Sequence, residues 1–377
     1  MKVLFVLENY LPHVGGVEIV FKNLSEGLAK LGHDVSIVTH RLKGTKKFEV
    51  MNGVNIYRVN CFHSRYLFSF LSIPKVLRLA RKADIIHTTT FNGAPPAWLV
   101  SKLRKKPCIL TVHEAWVGKW NKITEMNWFS AKMHSLLERM IYLLRFNRYV
   151  CVSNSTKKQL LDVGVKENKT DIVYNGVDYA HWDPKKYNGE RIRKKFGLEN
   201  MFVYLFSGRP GISKGLEYLL KAVPLISDKI ANAKLFAIVS KDKAYSKRYK
   251  YILKLIKKLC IEDKVIVHEP VSYKELPNFI KMADCIVVPS LSEGFGFAAA
   301  EACAMGKPVV ASNTTSLPEV VSGKYILVKP KSAEGIATGV EMVYKGKFAK
   351  SRLKRFELKK NIDGYLKVYK ELIKSIQ

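Results

Sequence analysis

Short apolar runs recur along the chain, each followed by a longer amphipathic stretch, and this alternation limits the fold more than any other feature. The runs include "KVLFVL" (2–7), "DVSIVT" (34–39), "GVNIYRV" (53–59), "DIIHTT" (84–89), "CILTVH" (108–113) and "RYVCVS" (148–153). A strand covered on both faces is apolar at successive positions, whereas a half-buried one alternates. Helix-length stretches between such runs predict parallel strands joined by crossover helices, an α/β doubly wound sheet. After "YNGVDYAHWDPKKYNGE" (174–190), rich in turn formers, the pattern starts again with "FVYLFSG", "KLFAIVS", "KVIVHEP", "DCIVVPS", "KPVVAS" and "YILVKP". At 377 residues two cores are expected. The boundaries implied are a first domain over 1–178, a linker over 179–200, a second domain over 201–355, and a C-terminal helix over 356–377 packing back on the first.

Composition narrows the setting. Hydrophobic residues make up 47% of the chain and charged ones 25%, which suits an ordered globular protein. No apolar run approaches the roughly 18–20 residues of a membrane span, and the N-terminal run is too short for a signal peptide core. The six cysteines form no CxxC pair, so buried thiols in a reducing cytoplasm are expected rather than disulfides or a zinc site. The charge is unusual: 64 basic against 32 acidic residues, net +32, spread over both halves. Such a field attracts phosphorylated small molecules, anionic lipid surfaces or nucleic acid, although it equally describes a lysine-rich solvated surface.

In open parallel sheets, ligands bind beyond the carboxyl ends of the strands, where glycine turns and helix N-termini meet. Four such turns carry candidate chemistry. "PSLSEGFGFAAAEACAMG" (289–306) sets Glu293 and Glu301 eight positions apart, around Gly294, Phe295, Gly296 and Phe297, with Glu301 expected about two turns into an alanine-rich helix. A carboxylate among alanines needs hydrogen bonds, which a polyhydroxylated ligand supplies, and amides exposed at Gly294 and Gly296 would suit phosphate. "SGRPGISKG" (207–215) presents Arg209 and Lys214 ahead of a helix, a fork and a point charge suited to a diphosphate. "HVGGVE" (13–18) places Gly15 and Gly16 at a helix start but lacks GxGxxG, so a dinucleotide fold is not supported. His113 ends a strand, where it can donate to a hydroxyl or assist proton movement. Each turn also has a plainer reading, as a dipole-favoured acid, a solvated cation, an ordinary helix start or a structural histidine. No DxD is present to grip a metal-bound diphosphate, so no metal or other cofactor is expected.

Together these stretches resemble retaining GT-B glycosyltransferases of family 4: "GGVE" (15–18), His113, "NGVD" (175–178), "GRPGISKG" (208–215), "PSLSEGFG" (289–296) and "EACAMGKPVVAS" (301–312). The resemblance implies two Rossmann-like domains facing a cleft and transfer of a hexosyl unit from a nucleoside diphosphate sugar to a hydroxyl. It further implies that Glu293 contacts the donor sugar, Glu301 holds the ribose, Arg209 and Lys214 hold the diphosphate, backbone at Gly16 and Phe295–Phe297 closes on the donor, and His113 lies near the sugar. The segments "AIVSKDKAY" and "VHEPVS" depart from the family pattern beside its base pocket, leaving UDP or GDP open. "RYLFSFLSIPKVLRLARK" and "AWVGKWNKITEMNWFSAK" mix aromatic and basic residues, favouring a lipid-linked glycan or glycolipid acceptor at the cytoplasmic membrane face. The rivals are a GT-B sugar-nucleotide epimerase, a phosphorylase and a basic nucleic-acid-binding protein. The last lacks any helix-turn-helix, RRM or zinc signature, and no nucleic-acid partner is expected.

Overall fold

The computed structural model describes residues 1–13, 15–62, 64–242 and 245–375. The chain divides into two compact units. The first holds Met1–Trp120, Trp128–Gly176 and the stretch from Phe356 onward; the second holds Asn121–Asn127 and Val177–Arg355.

The first unit is built on β1 (Lys2–Leu7), β2 (Asp34–His40), β3 (Phe48–Met51), β4 (Val54–Val59), β5 (Ile85–Thr89), β6 (Cys108–Val112), β7 (Arg148–Cys151) and β8 (Thr170–Ile172), in the order β3-β4-β2-β1-β5-β6-β7-β8. The second has β9 (Phe202–Gly208), β10 (Ala233–Val239), β11 (Val265–His268), β12 (Cys285–Val288), β13 (Val309–Ser312), β14 (Lys324–Val328) and β15 (Ala349–Lys350), ordered β11-β10-β9-β12-β13-β14-β15. Every apolar run named above forms a strand. Val3 through Leu7 are all buried, as a central parallel strand requires. The sheets are not wholly parallel, however: β3 runs antiparallel to β4 and β15 to β14, each at an edge. β3 returns to β4 through the tight turn at Asn52 and Gly53, whereas β15 is reached by way of the Ala333–Tyr344 helix; both strands are too short and exposed to carry an apolar run.

The helix Leu358–Lys374 belongs to the first unit. Tyr365 and Tyr369 on it are fully buried and join a polar network under the sheet. The Tyr369 hydroxyl lies 2.6 Å from His87 Nδ1, Thr111 Oγ1 lies 2.7 Å from His87 Nε2, and the Tyr365 hydroxyl lies 3.0 Å from Thr111. Burial lowers the His87 pKa to about 3, so the ring is neutral. A Cβ on Gly27 would come within 2.3 Å of Ile362, so glycine is what lets this helix approach the Gly16–Lys30 helix.

In each sheet the connections reverse direction once, between β1 and β5 and between β9 and β12. Turns leaving neighbouring strands at such a point diverge, and a ligand can enter between them. The residues expected to carry chemistry follow β1, β6, β9 and β12.

Candidate functional site

In the second unit, β9 and β12 are neighbours, so the turns leaving them must pack on one another. Gly215 makes this possible. Its φ is +67°, and a Cβ there would lie 2.0 Å from the Pro289 carbonyl oxygen. The Leu291 N–H donates to the Ser213 carbonyl at 2.7 Å, fastening the two loops. Lys214 Nζ therefore sits 2.6 Å from Glu293 Oε1, and the Ser290 hydroxyl donates to the same oxygen at 2.8 Å. The Glu293 backbone is held as well: its N–H donates to Thr315 Oγ1 at 3.0 Å, and its carbonyl accepts from the Ser316 hydroxyl at 2.9 Å. Thr315 holds a left-handed φ of +46°, a costly conformation for a β-branched residue, retained at this contact.

Arg209, exposed at the end of β9, donates to the Tyr245 hydroxyl at 3.0 Å with its guanidinium 5.7 Å from that ring's centre. The loop between Arg209 and Lys214 is braced by Arg248, which donates to the Pro210 carbonyl and pairs with Glu217. Lys243 and Ala244, in the segment expected to flank the nucleotide base, lie outside the described residues.

The glycines before Glu301 differ from expectation. Gly294 and Gly296 are buried rather than presenting their amides to solvent. Gly296 is the N-cap of the Phe297–Ala304 helix with φ +94°, and Leu317 would meet its Cβ at 2.9 Å, so its role is to turn the chain sharply. Phe295 is buried and meets Phe297 edge-on at 5.1 Å. Because the helix begins at Phe297, Glu301 lies one turn in, not two. Its carboxylate makes no hydrogen bond or ion pair with the described residues, and burial raises its pKa to about 8. Tyr273 feels the Glu301 charge, while its hydroxyl accepts from Trp182 Nε1 at 3.0 Å and its ring stacks on His181 at 4.4 Å. Asp178 of "NGVD" accepts from the N–H groups of Ala180 and His181, which is a turn-capping role.

The first unit carries the other candidates. Gly15 is the N-cap of the Gly16–Lys30 helix in extended conformation, and Gly16 is exposed. A Cβ at Gly15 would lie 2.6 Å from Glu18 Oε2. Glu18, buried in the helix's first turn, has its other oxygen 3.1 Å from His13 Nδ1. His113 follows β6; its carbonyl accepts from Thr156 Oγ1, and Phe21 packs edge-on against its ring. Nε2 of His113 is buried without a partner among the described residues. Burial lowers its pKa to about 4, opposed in part by Glu18. The ring is thus neutral at pH 7, able to donate once and accept once.

Glu8, at the end of β1, escaped sequence reasoning. Its carboxylate lies 2.8 Å from Arg65 Nε and accepts from Asn92 Nδ2 at 2.7 Å, tying together the segments beyond β1, β4 and β5. The available signal was an acid directly after the first apolar run. Thr315, Ser316, Tyr245 and Tyr273 gave no comparable signal, since each reaches the site through a contact distant in sequence. Among the described residues no group of three His, Cys, Asp or Glu side chains is placed to hold a metal ion.

Two family models match the chain: Glycosyltransferase Family 4 over residues 14–181 and Glycosyl transferases group 1 over 188–355. An uncharacterized glycosyltransferase of Methanocaldococcus jannaschii is 32% identical, with 91% of this chain and 89% of the relative covered. The alpha-monoglucosyldiacylglycerol synthase of Streptococcus pneumoniae is 27% identical over 86% of this chain and 74% of its own length. Among solved structures, Anabaena HepE in complex with UDP-glucose superposes with a TM-score of 0.76 at 18% identity, covering 99% and 100% of the two chains. Sucrose-phosphate synthase from Thermosynechococcus elongatus gives 0.78 at 19% identity, covering 100% and 96%.

Proposed function

From the premise that the chain belongs to the GT-B glycosyltransferases of family 4, we propose that it transfers a hexosyl unit from a nucleoside diphosphate sugar to an acceptor hydroxyl, with retention and without a metal. The observation that carries this reading is the Lys214–Glu293 contact, held in place by the fastened turns of β9 and β12. Lys214, with Arg209 on the same turn, supplies the positive charge that a departing diphosphate needs. Both act at a helix start, where the dipole adds to them. In this reading the protein's own cations take the place of a divalent ion.

Glu293 positions the donor sugar and does not attack it. One of its oxygens is already engaged by Lys214 and Ser290, so the carboxylate is poorly suited to form a covalent intermediate. A front-face reaction, in which the leaving phosphate takes the acceptor proton, retains configuration without a nucleophile. Glu301 accepts from the ribose hydroxyls through a carboxylate that none of the described residues satisfies. His113, neutral and with no partner for Nε2 among the described residues, exchanges a hydrogen bond with a sugar hydroxyl rather than supplying charge. Gly15 and Gly16 bring backbone close to the donor. The pneumococcal relative, by name a glycolipid synthase, supports a lipid-linked glycan or glycolipid as acceptor, and the likeness to HepE with UDP-glucose supports a UDP-sugar donor.

Thermal shift with a panel of nucleotide sugars and free nucleotides tests the donor, because only a bound ligand stabilises the fold. Lys214→Ala should keep its fold and lose roughly 10²-fold or more in turnover at saturating donor, comparable to removing one preorganised transition-state donor. Near-normal turnover of that variant, or epimerisation of the donor with no acceptor present, would overturn the reading.

A further inference from the structure

The helix Trp128–Leu143 in the first unit has one face that the fold leaves uncovered. Ala131, Glu138, Ile141 and Tyr142 turn inward and are buried. On the opposite side Phe129, Met133, Leu136, Met140 and Leu143 are exposed by 68, 42, 53, 53 and 69%. At about 100° per residue these five fall in one stripe roughly 80° wide, extending about 20 Å along the axis. Lys132 and Arg139 are exposed along one edge of it, with the Lys132 ammonium 4.9 Å from the centre of the exposed Trp128 ring. The only acid on this helix is Glu138. It is buried and engaged, accepting from the Trp116 N–H at 2.8 Å, Trp120 Nε1 at 2.7 Å and the Tyr142 hydroxyl at 3.0 Å.

Those bonds also locate the stripe. Trp116 and Trp120 lie on the loop that follows β6 and His113, so Glu138 fastens the helix beside the carboxyl end of the sheet. On the far side of Trp120, Phe91 packs edge-on at 5.7 Å, and the Ser69 hydroxyl donates to the Asn92 carbonyl beside it. The segment so attached carries exposed Tyr66 and Phe70 next to Arg65.

We propose that this face seats on the interface of an anionic phospholipid bilayer, with the stripe at the boundary of headgroups and acyl chains and Lys132 and Arg139 among the phosphates. Apolar and aromatic side chains bordered by cations, without an exposed acid, match that surface in both polarity and charge. A second copy packed helix on helix does not, because Lys132 and Arg139 would approach their own counterparts with no helix acid to pair with them. A lipid-borne acceptor would then reach the end of β6 without leaving the membrane plane. That last clause rests on the transferase reading, whereas the surface itself does not.

Sedimentation of the full chain with vesicles of phosphatidylcholine alone, and of phosphatidylcholine with phosphatidylglycerol, tests the inference. Phosphatidylglycerol should strengthen partitioning roughly thirtyfold, given about 1 kcal/mol for each of the two cations near the surface. Lys132→Glu with Arg139→Glu should abolish that preference, and Leu136→Asp with Met140→Asp should weaken binding at least as much. Every substituted position is exposed, so an unchanged melting temperature and an unchanged thermal shift with nucleotide sugars serve as the check on folding. Equal vesicle binding by wild type and both variants would overturn the proposal, as would a wild-type dimer that Leu136→Asp with Met140→Asp converts to monomer. Loss of the nucleotide-sugar response in the wild type would instead strike the transferase reading and leave the vesicle result standing.

Discussion

Burial lifts the Glu301 carboxyl to about 8, so at neutral pH the unliganded side chain is mostly protonated. Ribose hydroxyls that donate to it favour the ionised form, so binding must release a proton in the pH range between the lowered pKa of the bound state and that value. Donor affinity should rise roughly tenfold between pH 6.5 and pH 8, with Glu301→Gln flattening the profile. Calorimetry in two buffers of different ionisation enthalpy measures both the affinity and the proton; a wild-type profile as flat as the variant's would remove Glu301 from the ribose. Glu293 has an identical side chain in the same short stretch and a different fate. Lys214 and Ser290 engage it, so its chemistry is that of an ion-paired carboxylate. The eight-residue spacing was legible in the sequence, but the division of labour between the two acids was not, because Lys214 is a neighbour only through the fold.

At the scale of elements, the site depends on two loops fastened at one glycine. Gly215 and Gly197 both hold left-handed φ, +67° and +64°, but only Gly215 faces a backbone oxygen where a Cβ would be; Gly197 has nothing within 4 Å. Alanine at Gly197 should therefore cost about 1 kcal/mol for the conformation alone. Alanine at Gly215 should cost about 2–4 kcal/mol and should also lower turnover, since separating the loops moves Lys214 from Glu293. Urea unfolding of the two variants isolates the cost of the close approach, and equal losses would show that the loops tolerate separation. The strands that frame these loops were readable as apolar runs because parallel strands are covered on both faces. β3, β8 and β15 were not, since FEVM, TDI and AK form no apolar run and each strand is defined by a partner rather than by its own composition.

For the molecule as a whole, charge and buried histidines act together as pH falls. His87 and His113 have folded-state pKa values of about 3 and about 4, both below the ordinary imidazole value near 6.5. Below that value the unfolded chain binds the protons first, so their contribution is complete above pH 6.5 and is lost as the medium is acidified toward those folded values. Each should cost on the order of 1 kcal/mol per pH unit over that range. The chain is already at +32, and further protonation adds self-repulsion in the same direction. Urea midpoints followed from pH 7.5 to 4.5 should fall steadily, and His113→Asn should reduce the slope; an unchanged slope would mean that His113 is not held neutral by burial. The sequence alone determined the two α/β sheets, the family likeness and the turns that carry chemistry, because strand period, glycine position and residue type act locally. Only the tertiary structure decided that Lys214 pairs with Glu293, that Glu301 has no partner among the described residues, that Gly294 and Gly296 are buried, and that the Trp128–Leu143 helix leaves an apolar face uncovered. Each of these depends on which loops and helices the strand order brings together, and that is a property of pairing between segments far apart in the chain.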